Sequence, residues 1–569
     1  MKPATFVPIA ILAGSSLAVA HAQVQVAQYS GSNSTEQVGD SVVGLGDVDG
    51  DGLPDFAAGA PWHSNNTTNP GHVYVCKGST AELLYTLTGL FGGDDFGTAV
   101  ANAGDVDGDG VNDLLVGAAD FVSTGGHDSG STPGFVEVHS GATGALLLHV
   151  DGDVAGDMFG ASVSAVNDID GDGIEDFAVG APGYDGPASN GGMVRMLSGA
   201  SGSTLWTRAS GQTSSGYGVR LATVGDVDGD GKLDVAVGAP SYNDTGAVYV
   251  FSGTDGALLR SWFGPQAEIR FGGGALAGVG DVDGDGSPDL AVGAVEAPYG
   301  TSKGTLYVYS IATGAQIYQR VGEVTGAYLG AAAATIGDLD GDGVSELAVG
   351  MRLYEAGLEG FYDGAVSVLS GATGAELGRI LGSKQEYFGG AVAGLGDVEG
   401  DGRPDFVAGG ISGYANQNGF ARVVAVDDPM PPSIFCTAKV NSQGCAPAIS
   451  NSGTPTLSGA DDFTVHASNV VNQKIGLFLW GTSPNLSGFM GGMLCVGPPQ
   501  KRTALVTSGG SAGGPDCSGT LAYTFTHAYM QSQGLAAGSM LYVQGWYRDP
   551  YLQFNQIGLT NALLAVVAP

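Results

Sequence analysis

Seven short acidic loops along this chain have the residue types and the spacing of a hard-cation site. The first places Asp47, Asp49, Asp51 and Asp55 around two glycines, Gly50 and Gly52. The same set returns as Asp105, Asp107, Asp109 and Asp113, then as Asp168, Asp170, Asp172 and Asp176. It continues as Asp226, Asp228, Asp230 and Asp234, and as Asp281, Asp283, Asp285 and Asp289. The last two copies are Asp338, Asp340, Asp342 and Glu346, and Asp397, Glu399, Asp401 and Asp405. Counted from the first acid, positions 1, 3, 5 and 9 are acidic, and positions 4 and 6 are glycine in every copy.

Calcium takes six to eight oxygen ligands at roughly 2.3–2.6 Å, from carboxylates, backbone carbonyls and water. Alternate carboxylates converge on one point only if the backbone turns sharply, and glycine at position 6 permits the left-handed conformation this needs. Position 7 is free to vary (Leu53, Val111, Ile174, Lys232, Ser287, Val344, Arg403), as it should if only its carbonyl coordinates. The first half of the loop matches the EF-hand pattern, but the last acid falls at position 9 and no helical pattern flanks it. The expectation is a calcium hairpin between two strands, up to seven Ca²⁺ in all. A single copy would read equally well as a solvated acidic turn; seven copies with the same acids and glycines do not. Glu346 and Glu399 carry an extra methylene and should fit the ion least well.

The loops recur at steps of 58, 63, 58, 55, 57 and 59 residues, so one structural unit is copied seven times. Each unit reads as four short strands. In the first these are Ser41 to Gly46, Phe56 to Ala60, the alternating segment Gly71 to Cys76, and Leu83 to Leu87. A Ser-Gly turn follows the third strand almost as a refrain, as in Ser140 to Ala145 and Ser370 to Ala375. Four strands and seven repeats predict an all-β fold, a seven-bladed calcium-binding β-propeller over residues 23–427. The seventh unit lacks a fourth strand, and the unassigned alternating segment Gln23 to Tyr29 fits that vacancy. Residues 23–29 should therefore complete the last blade.

These units resemble FG-GAP repeats, the blades of integrin α-subunit propellers. The Phe-Gly element stands as Phe96-Gly97, Phe159-Gly160, Tyr217-Gly218, Phe271-Gly272 and Phe388-Gly389. Gly-Ala-Pro stands as Gly59-Ala60-Pro61, Gly180-Ala181-Pro182 and Gly238-Ala239-Pro240, with the acidic loop between the two elements. Departures are Val38-Gly39, Leu329-Gly330 and Gly350-Met351-Arg352. The resemblance covers about residues 30–427 and implies the propeller fold, bound calcium and an adhesive or binding role. Integrin α subunits carry such loops in only some blades, whereas all seven units have them here. The leg domains, membrane span and cytoplasmic tail of an integrin have no counterpart in the sequence.

Composition narrows the function classes. The formal charge is −37, and the loops hold 28 of the 57 acidic residues. Seven Ca²⁺ would bring the charge to about −23. That balance excludes nucleic acid, which needs Lys and Arg patches, and direct docking on anionic lipid. Residues 1–22 read as a secretory signal, with Lys2, an apolar core from Phe6 to Ala20, and cleavage after Ala22. No later segment has the length of a membrane span. The protein is expected to be secreted or at the cell surface.

Residues 428–435 read as a linker, and 436–569 as a small, β-sandwich-like, disulfide-containing domain. Cys436, Cys445, Cys495 and Cys517 allow three pairings, of which the near-neighbour one, 436–445 with 495–517, is expected. Cys76 reads as a buried free thiol in a strand. Gly509 to Gly513 matches a hydrolase nucleophile elbow around Ser511, but it lies in a Gly/Ser-rich loop without the strand-turn-helix setting.

The loop after the second strand carries an aromatic residue in every unit: Trp62, Phe121, Tyr184, Tyr242, Tyr299, Tyr354 and Tyr414. Topology puts these loops opposite the acidic hairpins. Aromatic rings offer rigid amphipathic area for a protein or glycan; the plainer reading is that each packs against its neighbouring blade. The expected function is non-enzymatic binding or adhesion to an extracellular protein or glycan. The alternatives are a secreted polysaccharide hydrolase or lyase, and a structural cell-surface component.

Overall fold

The computed structural model describes the chain apart from residues 1–21, 32–35, 62–69, 120–131, 266–269, 296–301, 340, 355–361, 384, 412–417, 428–432, 436–438, 454, 458–462, 483, 490–491, 497–499, 512–514, 536–539, 551–556 and 568–569. Contacts divide it into one unit over Gln23–Asp427 and another from Asp428 onward.

The first unit is seven four-stranded antiparallel sheets. In the first blade the strands run in order Ser41–Gly46, Asp55–Ala60, His72–Cys76 and Leu83–Thr88. The second strand is buried along its whole length in every blade, because it is covered by sheets on both sides. Accordingly, after its leading acid, it reads as a continuous apolar run, such as Phe-Ala-Ala-Gly-Ala. The fourth strand is the exposed rim.

Each innermost strand packs on the innermost strand of the next blade, and that of the seventh, Phe388–Gly396, packs on Ser41–Gly46 of the first. The ring is closed. The seventh sheet takes its outermost strand from the N-terminal segment Ala22–Ser30, which lies beside Phe420–Asp427.

The Phe-Gly and Gly-Ala elements meet at the joints between blades. Phe96, Phe159, Phe271 and Phe388 are fully buried, and the Phe96 N–H donates to the Pro70 carbonyl of the preceding blade at 3.1 Å. Leu329, the sixth-blade departure, does the same to Lys303 at 3.0 Å. The following glycine sits at positive φ, 92° at Gly97 and 91° at Gly39, where a side chain would be strained. A Cβ on Gly59 would overlap the Gly97 carbonyl oxygen, and the same overlap recurs at every joint, ending with Gly409 against Gly39. The two-glycine signature is thus a backbone-to-backbone contact that no larger residue allows. Outer latches add to it: the Tyr85 hydroxyl donates to the Gly141 carbonyl at 2.6 Å, and Trp206 Nε1 to Gly253 at 2.6 Å. Each large apolar cluster draws residues from two adjacent blades, so every blade depends on its neighbours. Cys76 is free and buried.

In the second unit a three-stranded sheet (Ala448–Ser452, Thr464–Val470, Gly519–Thr524) and a larger sheet around Ile475–Gly481 share one core. Strand Ser433–Phe435 pairs with the last strand, Ile557–Val566, so the segment read as a linker already contributes to this sheet. The near-neighbour disulfide pairing is wrong: Cys445 is bonded to Cys517. Both outer strands of the three-stranded sheet run antiparallel to the middle one, which brings the residues just before each to the same end. Cys436 and the Cys495 side chain lie outside the described residues. One short helix that no periodicity announced, His527–Ser532, is capped by the Thr526 side chain and buries Met530.

Candidate functional site

The acidic loops join the first and second strands of each blade and therefore share one face of the ring. Their local geometry is nearly invariant. The position 1 carboxylate accepts from the N–H groups of positions 4 and 6, as Asp47 does from Gly50 at 2.7 Å and Gly52 at 2.8 Å. Positions 3 and 5 each accept from the N–H two residues on, drawing their carboxylates toward the turn.

The position 9 acid is the buried anchor. Asp55 accepts from Val48 N–H at 3.0 Å and from Gly78 N–H, in the turn after the third strand, at 3.1 Å. Asp113, Asp176, Asp234 and Asp405 repeat both bonds, with Gly141, Gly199, Gly253 and Val426 as the second donors. In the sixth blade Glu346 still receives the Leu339 N–H, but strand pairing ends at Thr335 with Leu347, one step short of the acid. Elsewhere pairing reaches it, as at Gly46 with Asp55.

Ligand oxygens of Asp47, Asp49 and Asp55 lie within 4.8 Å of one another, as do those of Asp105, Asp107 and Asp113, and of Asp168, Asp170 and Asp176. In the fourth and fifth loops the converging acids are positions 1, 3 and 5. Asp340 is outside the described residues. Burial pushes Asp234 and Asp289 up to about 6 and Asp405 up to about 7, while backbone N–H groups oppose the shift. The buried Asp289 Oδ1 has no hydrogen-bond partner among the described residues. A hard cation would supply what these oxygens lack, so the residues fit the group. Positions 1, 3, 5 and 9 would hold it, and its contribution would be charge neutralisation and cross-linking of loop to strand.

One participant was missed from sequence. Lys77 Nζ bridges Asp49 and Asp51, the latter at 3.1 Å, so the first loop already carries a cation of its own. The signal was present: Lys77-Gly78 stands where most blades have the Ser-Gly turn.

Of the aromatic positions, Trp62, Phe121, Tyr299 and Tyr414 lie outside the described residues. The other three are half-buried. Tyr184 packs on the cluster between the second and third blades. Tyr242 meets Tyr249 and Phe263 at 6.1 and 5.7 Å between ring centroids. Arg379 lies over the Tyr354 ring at 5.2 Å. In the C-terminal unit Ser511 Oγ donates to the Asp516 carboxylate at 2.5 Å, and Ser518 Oγ donates to the same carboxylate. Ser511 thus helps fix its own loop.

The FG-GAP repeat model matches residues 39–76, 159–195, 217–251 and 273–309, which are the first, third, fourth and fifth blades. The propeller is integrin α-like, with FG-GAP repeats in those four blades. The second, sixth and seventh blades keep the same strand order and the same glycine contact outside those matches. Similar proteins include integrin alpha-PS2 of Drosophila melanogaster, 35% identical over 213 residues, which is 34% of this chain and 14% of that protein. Integrin alpha-5 of Xenopus laevis is 33% identical over 35% of this chain and 20% of its own length. Integrin alpha-V of Gallus gallus is 31% identical over 41% and 23%. The FG-GAP propeller chain thus spans less than a quarter of the length of these relatives. Among its described residues no helix is long and apolar enough to cross a membrane.

Proposed function

We propose that this integrin α-like propeller is an exported binding or adhesion module, held in shape by calcium in its acidic loops, for an extracellular protein or glycan. The observation that supports it most is the closed ring itself. The acidic loops occupy one face and leave the opposite face, with its aromatic-bearing loops, to a partner. On this reading calcium is architectural and no ion touches the ligand. Trp62, Phe121, Tyr184, Tyr242, Tyr299, Tyr354 and Tyr414 are the proposed ligand contacts. Extracellular or cell-surface placement follows from the predicted signal and from the integrin likeness.

The test is a protein and glycan array probed with and without calcium, using the intact chain and a Trp62→Ala/Tyr242→Ala variant. The variant is expected to lose capture while its melting temperature stays near that of the parent. Removing a buried aromatic costs ~3–5 kcal/mol. An early-melting variant would therefore assign these rings to the core and contradict their role as ligand contacts.

A further inference from the structure

A cavity of about 180 Å³ opens at the inner rim of the ring, and Arg220, Arg270 and Arg352 line it together. Arg220 begins the innermost strand of the fourth blade, Arg220–Gly225, at the end away from the acidic loop. Arg270 immediately precedes Phe271-Gly272 of the fifth blade, and Arg352 follows the second strand of the sixth, Leu347–Met351. All three therefore lie on the face opposite the acidic hairpins. The chain has only 20 Lys and Arg residues against 57 acids, so three guanidinium groups around one cavity run against its whole composition.

Register against the other blades sharpens this. The position of Arg220, two residues after the Phe-Gly glycine, is Ser41, Ala99, Ser162, Gly274, Ala332 or Ala391 elsewhere. Arg352 stands where three blades have the proline of Gly-Ala-Pro. Arg270 shares the left-handed backbone of this position in every blade, at φ 48°, and differs from the Gln37, Asp95, Met158, Gly216, Tyr328 and Tyr387 found elsewhere by its charge. The small residues that remain, Gly274 and Gly390 among the lining, keep the cavity open.

The three side chains are exposed, and no carboxylate forms an ion pair with any of them among the described residues. Crowding by the surrounding blades pushes the Arg220 pKa down against the pull of Asp40, and Arg352 pushes the same way. Like charges therefore share one recess, with the Asp40 carboxylate near enough to offset part of their repulsion. Guanidinium groups present planar forks that match a carboxylate with two parallel hydrogen bonds.

We propose that this cavity is an anion subsite that takes a carboxylate group of side-chain size, held by Arg220 and Arg352 with Arg270 beside them. The proposal deepens the reading of the propeller as a binding module and rests on it. The carboxylate could belong to a free dicarboxylate or to an acidic peptide side chain; the chemistry at the cavity is the same.

The test is calorimetric titration of the calcium-loaded mature chain with succinate and, separately, with a hexaglutamate peptide at low salt. Saturable binding near one site per chain is expected for at least one probe, and none for putrescine, a diamine of similar length. Succinate binding alone identifies a free dicarboxylate site, and peptide binding identifies an acidic side chain as the occupant. Arg220→Gln and Arg352→Gln are each expected to weaken Kd at least about tenfold, the size of one lost charge-assisted hydrogen bond. Arg352→Lys, which keeps the charge and loses the fork, should not restore parent affinity. If Arg220→Gln fails to fold, Arg352→Gln carries the test, since its side chain leaves the end of a strand. No saturable binding of either probe, or an unchanged Kd in a folded Arg352→Gln variant, overturns the site. Array capture that persists after such a failure leaves the general binding reading in place and removes only this subsite.

Discussion

Excess EGTA is expected to lower the melting temperature of the propeller by at least about 10 °C. The coupling is one of linkage. A ligand that binds only the folded state at 100 times its Kd stabilises it by ~2.7 kcal/mol per site, and several such sites act on one ring. A few kcal/mol already move the melting point of a mid-sized domain by several degrees. The geometry supplies the reason for the coupling. Position 9 acids such as Asp55, Asp113 and Asp176 are buried and tie the loop to the turn after the third strand. An empty loop leaves three or four carboxylates crowded around that anchor, with only backbone N–H groups to hold them. Differential scanning calorimetry of the same sample with calcium restored separates metal loss from irreversible damage. A melting curve unchanged by chelation would contradict the structural role given to the ion.

Deleting Gln23 to Tyr29 is expected to lower stability by several degrees and to cause concentration-dependent aggregation. The segment is the outer strand of the seventh sheet, and Phe420–Asp427 would become an unpaired edge without it. Side chains add to the backbone pairing. Ala27 is buried, and Val26 and Tyr29 pack on the cluster that joins the seventh blade to the first. The Tyr29 ring lies 5.0 Å from Tyr74, and Arg422 Nε donates to Gln28 at 3.0 Å. The N-terminal strand therefore touches both sides of the ring's seam. Light scattering during a thermal ramp checks this directly. A truncated chain that stays monomeric and melts with the parent would show that the six other joints and the Gly409–Gly39 contact suffice.

Much of the propeller was legible because its restraints are local and repeated. Glycine at fixed places, acids at alternate positions and period-2 strands each leave a direct trace in the residues. Even the empty place in the seventh blade could be seen by counting strands. What sequence hid was set by contacts between segments far apart. Cys445 meets Cys517 only because two strands flank the same middle strand, and nothing near either cysteine announces that. Lys77 bridges Asp49 and Asp51 across the blade, visible only as a break in the Ser-Gly turn. The three arginines are more than a hundred residues apart from first to last, and the ring alone brings them to one cavity. Short helix His527–Ser532 was missed because six residues give periodicity too little length to show.

Anomalous diffraction from crystals grown in millimolar calcium checks whether the acidic loops hold calcium as structural cross-links. A calcium peak is expected within the loops of Asp105, Asp168, Asp226 and Asp281, each surrounded by oxygens of positions 1, 3, 5 and 9. The Lys77-bridged first loop and the Glu-bearing sixth and seventh loops should fill last as calcium is reduced. Loops closed only by their own N–H groups, with no ion at millimolar calcium, would contradict that structural role.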